Sequence, residues 1–318
     1  MRTGRRQPRP VAVVTALTVA VGLAACAPAD GPSTGGPATQ APATTEPPTP
    51  GSAGTTVDLD VDGRTVRLHL PPGHDAATPV PLVVGLHGYT SNATELDSYF
   101  GLTTASDERG FLLALPEGTV DPSGDQFWNA LEGGCCDFSG SGVDDSTFVS
   151  RLIEEVEAAY AVERTVLVGH SNGAYLAHRV ACDHADRVTA IAALAGTLPD
   201  NVARCEPSDP VAVLQIHGDA DDVVGYQGGQ GGASAPDTAA AWAAHDGCSP
   251  EPEPAPALDL ERLLPGAETE VLRYADCTAG TAVELWTITG GGHVPELGDG
   301  FTPAVLDFLL GTPPATGR

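Results

Sequence analysis

The chain has 318 residues, of which 42 are acidic and 15 are basic, and its formal net charge is −27. A surface with this charge repels nucleic acid and anionic lipid headgroups, so we expect no nucleic-acid partner. Every basic residue is an arginine. The lack of lysine excludes Schiff-base chemistry, a Ser-Lys dyad and a P-loop.

The first 25 residues have the pattern of a signal peptide. Several arginines precede an apolar run at 11–23, which ends in Leu23-Ala24-Ala25-Cys26. The run is too short for a stable membrane span and is typical of an export leader. Residues 23–26 also resemble the bacterial lipobox, which implies cleavage before Cys26 and lipidation of its sulfur. We therefore expect an exported lipoprotein on the outer face of the cell membrane, anchored only through this lipid, with free secretion as the alternative.

Residues 26–55 consist largely of Pro, Thr, Ala, Gly and Ser. Such a segment has too few apolar side chains to offset the entropy of ordering, so it is predicted to be a flexible tether.

The cysteines of the remaining chain predict disulfides rather than a metal site. There is an even number of them in a chain with an export signal, and no CxxC pair supports zinc. Cys248 and Cys277 flank one insertion and are the preferred pair. The other four leave three pairings open, and they are Cys135, Cys136, Cys182 and Cys205.

Hydrophobic patterns predict an α/β domain over residues 56–312. Residues 57–61 and 66–70 alternate between apolar and polar around Asp62-Gly63, which indicates an antiparallel hairpin. Short apolar runs without alternation are typical of parallel strands buried on both faces. These runs lie at 81–86, 111–115, 165–168, 190–194, 212–216 and 283–288.

Helices are predicted between these runs. Asp145 or Ser146 can cap one of them, which continues to about residue 160, and residues 172–182 form another. Alternating strands and helices give a doubly wound, mostly parallel sheet behind the amino-terminal hairpin. Residues 226–280, rich in Gly, Pro and acids, are predicted to be an insertion between the last two strands.

The motif Gly169-His170-Ser171-Asn172-Gly173 lies directly between a predicted strand and a predicted helix. The five residues alone are a weak signal, but this context is that of a nucleophile elbow. The glycines allow a strained turn that exposes the serine hydroxyl near the positive end of the helix. The motif therefore predicts the α/β-hydrolase fold with Ser171 as the nucleophile.

A serine nucleophile needs a base, and the base needs an acidic partner that orients it. In this fold the acid and then the histidine follow the serine along the chain. Asp219, Asp221 and Asp222 come directly after the run at 212–216, and any of them could orient the base. His293 follows the run at 283–288 on a glycine-rich loop and is the predicted base.

Two further predictions concern the substrate. The backbone N–H groups of Tyr89, after the first central strand, and of Asn172 are the predicted oxyanion donors. Trp128 lies in the Gly-rich segment 121–142, which should leave from the carboxyl ends of the strands, where ligands bind. Its ring is predicted to line the acyl or alcohol pocket, with anchoring of the loop as the alternative.

Taken together, these motifs resemble the polyhydroxybutyrate depolymerase and feruloyl esterase group of bacterial lipoprotein esterases, over about residues 56–310. The resemblance rests on the elbow and on motifs such as Leu86-His87-Gly88, Trp128 before Cys135-Cys136, His217-Gly218 with Ala220-Asp221, and Gly291-Gly292-His293. It implies that Asp221 is the acidic partner of His293. Val294-Pro295-Glu296 differs from the group's usual Trp-Pro-Gly.

The sequence thus predicts a serine esterase that acts through an acyl-enzyme on small or oligomeric esters. A serine peptidase on the same fold is the first alternative, because a triad alone does not separate esters from amides. A binding lipoprotein without activity is the second, but all three triad residues are present. No cofactor and no metal are implied, and no oligomeric state is predicted.

Overall fold

The computed structural model describes residues 53–131 and 135–311. The predicted signal peptide, Cys26 and nearly all of the predicted tether lie outside these ranges. The strands are β1 (Thr55–Val61), β2 (Arg64–Leu70), β3 (Val80–Leu86), β4 (Leu112–Pro116), β5 (Thr119–Val120), β6 (Gln126–Phe127), β7 (Val162–His170), β8 (Ala190–Leu194), β9 (Ala212–Gly218), β10 (Glu253–Leu258), β11 (Thr269–Tyr274) and β12 (Val283–Ile288). The helices are α1 (Ala93–Phe100), α2 (Leu102–Arg109), α3 (Asp145–Ala159), α4 (Asn172–Asp183), α5 (Ala235–His245) and α6 (Phe301–Gly311). None of the helices in the described ranges is long and apolar enough to span a membrane.

One large sheet organises the described chain, in the strand order β1-β2-β4-β3-β7-β8-β9-β12-β11-β10. The six strands from β4 to β12 in this order are parallel, and they correspond to the six predicted apolar runs within a few residues. Antiparallel strands extend both edges. Because all parallel strands end on one side, their carboxyl-end loops meet along a single edge.

The predicted amino-terminal hairpin is confirmed. β1 and β2 pair antiparallel with Val61 opposite Arg64, which leaves a two-residue turn. Asp62 and Gly63 both have positive φ, 52° and 79°, the signature of the type I′ turn that matches the twist of the strands.

Helices cover the sheet in two separate hydrophobic layers. One layer contains Phe148 of α3, Leu176 of α4 and Trp242 of α5. The other contains Leu96 of α1 and Leu306 of α6. The central parallel strands are thus buried on both faces, which explains their continuous apolar runs.

The predicted N-cap of α3, Asp145 or Ser146, is wrong by one or two residues. Asp144 is the N-cap, and its carboxylate accepts a hydrogen bond from the backbone N–H of Thr147. Asp145 instead is fully buried and accepts a hydrogen bond of 2.6 Å from Arg64 Nη1. Adjacent aspartates offer the same capping group, so the helical pattern could not separate them.

The region 226–280 is more regular than the sequence indicated. It contributes α5 to one face of the sheet and adds β11 and β10 to its edge. β10 contains Pro254 and Pro256, and proline is tolerated in a sheet only where no partner strand needs its N–H. These prolines obscured a strand that lies at the outer edge.

The described cysteines form three disulfides. Cys248 pairs with Cys277, as preferred from the sequence, and Cys182 pairs with Cys205. Cys135 pairs with its neighbour Cys136. Disulfides persist in oxidising compartments, so this set is consistent with an exported protein.

Candidate active site

The elbow turn at Ser171 follows directly from β7 and leads into α4. Ser171 has φ 54° and ψ −118°, a strained backbone conformation for a residue with a side chain. The turn is possible because the residues two positions before and after Ser171, Gly169 and Gly173, have no side chains. A Cβ at Gly169 would overlap the carbonyl of Gly173, and a Cβ at Gly173 would overlap the carbonyl of Leu86.

The loops that carry Asp221 and His293 are bound to one another. The N–H of Ala220 donates to the carbonyl of Gly291 at 3.0 Å. The N–H of Gly290 donates to Oδ1 of Asp219 at 2.6 Å. Asp219 therefore holds the two loops together. Asp222 is exposed. These contacts fix the position of Asp221 relative to His293.

The structure brings Ser171, His293 and Asp221 into one hydrogen-bonded chain. Nδ1 of His293 lies 2.8 Å from Oδ2 of Asp221, and Nε2 of His293 lies 2.9 Å from Oγ of Ser171. An ionised carboxylate accepts only, so the Nδ1 proton points to Asp221 and the Nε2 lone pair faces the serine hydroxyl. This is the tautomer that a general base requires.

The carboxylate of Asp221 is held in its ionised form. Burial by itself raises the pKa of Asp221, but hydrogen bonds from His217, from His293 and from the N–H of Val223 outweigh burial and bring the pKa well below its ordinary value. Its Oδ1 accepts the N–H groups of Val223 and Val224 at 2.9 and 2.8 Å. Asp221 is thus a fixed negative charge behind the imidazole.

Two side chains hold the backbone of the His293 loop, and the sequence analysis missed both roles. Nε2 of His170 donates to the carbonyl of His293 at 3.0 Å, and the hydroxyl of Tyr99 donates to the carbonyl of Pro295 at 2.7 Å. Burial lowers the pKa of His170 to about 4, so its ring is neutral near pH 7. The position of His170 inside the elbow motif was the one available signal.

The predicted oxyanion donors lie around the elbow. A Cβ on Gly88, the neighbour of Tyr89, would contact Cβ of Ser171 at 3.5 Å, so the end of β3 lies against the nucleophile. Asn172 is the first residue of α4, where a backbone N–H has no partner within the helix. Within the described chain, neither the Tyr89 amide nor the Asn172 amide donates to a backbone carbonyl.

A cavity of about 260 Å³ opens beside Ser171. Phe138, which is 70% exposed, and Val223, which is 51% exposed, contribute apolar side chains to its lining. Its other lining residues are Tyr89, Cys135, Cys136, Tyr175, Val224, Gly225, Gly228, Gly229 and Gln230. Another cavity, of about 480 Å³, shares Tyr175 with it but contains none of the three hydrogen-bonded residues. The chemistry therefore belongs to the smaller one.

Comparison with known proteins agrees with this geometry. A family model described as “Putative esterase” matches residues 62–262. The chain belongs to this esterase family. Such membership agrees with the ester hydrolase activity that the sequence predicts.

Two curated relatives carry esterase names. Feruloyl esterase B from Piromyces equi is 30% identical over 251 residues, which is 74% of this chain and 43% of the relative. Putative esterase NocK from Nocardia uniformis subsp. tsuyamanensis is 30% identical over 284 residues, 85% of this chain and 75% of the relative. The chain thus spans less than half of the first relative's length.

Solved structures show the fold. The acetyl xylan esterase from Aspergillus awamori superposes with a TM-score of 0.53 at 14% identity, covering 81% of this chain and 99% of that chain. TT1662 from Thermus thermophilus gives a TM-score of 0.50 at 16% identity, with 84% and 100% covered. With the sheet order above, these likenesses establish the α/β-hydrolase fold.

The structure contradicts the predicted pocket role of Trp128 in this esterase-family chain. Its side chain is fully buried and does not line the cavity beside Ser171. Nε1 of Trp128 donates to the carbonyl of His87 at 2.9 Å, and the backbone N–H of Trp128 donates to Oδ1 of Asn172 at 2.7 Å. Trp128 anchors its loop to β3 and to α4, which was the alternative interpretation.

The apolar side chains that line the cavity were not predicted individually. Phe138 follows the paired Cys135 and Cys136 by two positions, and Val223 and Val224 follow the acidic cluster. The available signal was that these apolar residues directly follow motifs in loops at the carboxyl ends of the strands. Which of them face the cavity depends on loop conformations that sequence patterns do not specify.

Proposed function

We propose that this chain is a serine carboxylic-ester hydrolase that acts through an acyl-enzyme. The observation that carries the proposal is the continuous hydrogen-bonded chain from Ser171 through His293 to Asp221. The esterase family membership supports the same reaction class.

The proposed reaction has two halves. Oγ of Ser171 attacks the carbonyl carbon of the ester while its proton passes to Nε2 of His293. The bond to the alcohol then breaks, and His293 returns the proton to the leaving oxygen. A water molecule repeats both steps on the acyl-enzyme, which releases the acid and restores Ser171.

Three fixed groups support the transition state in this proposal. Asp221 stabilises the imidazolium that forms on His293. The backbone N–H groups of Tyr89 and Asn172 stabilise the developing oxyanion. Removal of one such donor typically costs about a hundredfold or more in rate.

The cavity beside Ser171 supports a substrate with an apolar acyl group of moderate size. Phe138, Val223 and Val224 provide an apolar wall, and apolar contacts of this kind favour uncharged acyl chains or rings. The name feruloyl esterase, carried by a relative at 30% identity, suggests feruloyl esters as substrates to test. We propose small or oligomeric esters as the substrate class.

The test compares ester and amide substrates on the parent enzyme and on Ser171→Ala. We expect the parent to hydrolyse acetyl, butyryl and feruloyl esters, with kcat/KM on esters far above that on matched peptides. Ser171→Ala should lose this activity with an unchanged melting temperature, and Ser208→Ala at an exposed serine should match the parent. Ester turnover by Ser171→Ala within tenfold of the parent contradicts the proposal, and faster peptide than ester turnover favours a peptidase.

We also propose that the mature enzyme is a lipoprotein anchored through Cys26, which lies outside the described residues. The lipobox-like sequence at 23–26 supports this, and the disulfides are consistent with export. In an exporting host, Cys26→Ser should move the enzyme from the membrane fraction to the medium. An unchanged membrane fraction contradicts lipid anchoring.

A further inference from the structure

A second histidine, His217, contacts the same oxygen of Asp221, Oδ2, that accepts from His293. Nε2 of His217 lies 2.8 Å from the carbonyl oxygen of Val224 and 3.3 Å from Oδ2 of Asp221. The side chains of His217 and Asp221 are both fully buried. The mechanism proposed above, on which this inference rests, assigns no task to His217.

The hydrogen-bond partners of His217 determine which of its nitrogens carries the proton. The carbonyl oxygen of Val224 only accepts, so Nε2 of His217 must donate. Its Nδ1 then faces Nε2 of Gln215 at 3.5 Å. That amide nitrogen is a donor, because it also lies 3.0 Å from the carbonyl oxygen of Gly196. A second proton on Nδ1 of His217 would therefore point at another donor.

Further hydrogen bonds with a fixed donor and acceptor continue from Gln215 deeper into the core. Nε1 of Trp242 donates to Nδ1 of His178 at 3.1 Å, so the proton of His178 lies on Nε2. That nitrogen lies 2.9 Å from Oε1 of Gln215 and donates to it. Burial lowers the pKa of His178 to about 4, which keeps its ring neutral. The indole N–H can only donate, so it fixes the direction of every hydrogen bond that follows.

We propose that His217 is a positioning residue that holds Asp221 for catalysis as a single-proton, Nε2–H donor. The buried chain from Trp242 through His178 and Gln215 keeps His217 in this form. Asp221 therefore has two imidazole partners with different tasks. The one Nε2 proton of His217 is shared between the Val224 carbonyl at 2.8 Å and Oδ2 of Asp221 at 3.3 Å, which ties the carboxylate to the backbone of its own loop. His293 alone exchanges its proton with Ser171 and substrate.

The satisfied partners distinguish this arrangement from ordinary core packing. Polar side chains in a core are costly unless each group is paired, and a fully paired network is rigid. In this network every ring nitrogen and every amide group of the side chains has a partner among the contacts above. The side chains are those of His178, Gln215 and His217. Rotation of any one of them would break the bond to the next, so the network resists displacement of Asp221.

The first test uses two substitutions that differ in one hydrogen bond. Gln at position 217 can place an amide N–H near the original Nε2, whereas Phe fills the space without a donor. We expect His217→Phe to lower kcat about 10- to 100-fold, since small misplacements of catalytic groups have effects of that size. KM should stay within about twofold, because His217 does not line the cavity. His217→Gln should recover at least about a third of the parent kcat. His184→Phe at the end of α4 is the matched control and should retain the parent kcat.

The outcomes separate this inference from the proposed function. If Ser171→Ala is inactive but His217→Phe matches the parent kcat, the positioning role is wrong and the esterase mechanism stands. Equal losses in both His217 variants also overturn the role, because they show a packing effect alone. If Ser171→Ala retains ester turnover, the proposed function itself fails.

The second test is made on the parent enzyme, so its result does not depend on how well His217→Phe folds. Nitrogen-15 NMR of the histidine-labelled parent distinguishes the two imidazole tautomers, and the His217 signals are assigned by their loss in His217→Gln. We expect His217 to carry its proton on Nε2 and none on Nδ1 at the pH of activity. A proton on Nδ1 overturns the inference.

Discussion

At the residue scale, three aspartates within four positions lie in three different environments. Asp219 accepts the N–H of Gly290, Asp221 accepts from His293, and Asp222 is exposed. Residue types and spacing placed the cluster at the correct sheet edge. They did not decide which of the three aspartates orients His293. Only the resemblance pointed to Asp221. Hydrophobic patterns do not specify the path of the turn, and that path decides where each of the three side chains points.

Replacement of Asp221 tests this distinction. Asp221→Asn presents an amide N–H to Nδ1 of His293 and favours the wrong imidazole tautomer. We expect kcat to fall by roughly 10⁴, the effect known for an amide in this role. Asp222→Asn, which changes the neighbouring exposed carboxylate in the same way, should keep the parent rate. A large loss in Asp222→Asn with little loss in Asp221→Asn would reverse the assignment.

Trp128 shows the limit of sequence reasoning for a single side chain. Its position in the chain predicted the substrate edge of the sheet, and its loop does contact the first turn of α4. Whether the ring points into a cavity or into the core depends on contacts with His87 and Asn172, which are distant in sequence.

The anchor role of Trp128 predicts a loss of stability rather than of binding. Trp128→Phe keeps most of the packing but leaves the buried carbonyl of His87 without its donor. We expect the free energy of unfolding to fall by about 1–3 kcal/mol, with KM nearly unchanged. Denaturant unfolding and steady-state kinetics on the same sample measure both quantities. A several-fold change in KM at constant stability would restore the pocket role.

At the element scale, local patterns identified the central strands because burial on both faces leaves a continuous apolar run. They failed at β10, where prolines conceal an edge strand, and at the N-cap of α3, where Asp144 and Asp145 are chemically alike. They also did not indicate the buried carboxylate at the end of α5. Asp246 is fully buried, and among the described residues its Oδ2 has no hydrogen-bond partner.

The buried carboxyl of Asp246 predicts a pH-dependent stability difference. Burial raises the pKa of Asp246 to about 7, whereas an unfolded aspartate has a pKa near 3.9. The folded state therefore holds this proton more tightly, and the ionised group destabilises the fold. The penalty is absent below about pH 4, grows between pH 4 and 7, and is complete above pH 7.

Asp246→Asn removes this ionisation. We expect the unfolding free energy of the variant, relative to the parent, to increase from about pH 4 to about pH 7 and then to level off. Asp259→Asn at an exposed position should show no such trend. Denaturant unfolding at four or five pH values measures the difference. A difference that is constant with pH would mean that Asp246 does not titrate in this range in the folded state.

At the scale of the whole molecule, the alternation of strands and helices predicted the doubly wound sheet. The elbow motif at Ser171 then predicted the α/β-hydrolase fold and the order of its catalytic candidates. The approach of Ser171, Asp221 and His293 follows from that topology, since β7, β9 and β12 all end at the same edge. The buried chain through His217 and Trp242 joins β9 to α4 and α5. Such contacts between distant segments have no local signature, which explains why they emerge only from the structure.

The central claim is that Ser171 forms a covalent acyl-enzyme. The most direct measurement is intact-protein and peptide mass spectrometry after rapid acid quenching of the enzyme with a slowly deacylating ester. We expect one acyl group per protein, on the peptide that contains Ser171, and none on Ser171→Ala. Continued ester turnover with no adduct, or an adduct on another residue, would contradict the account.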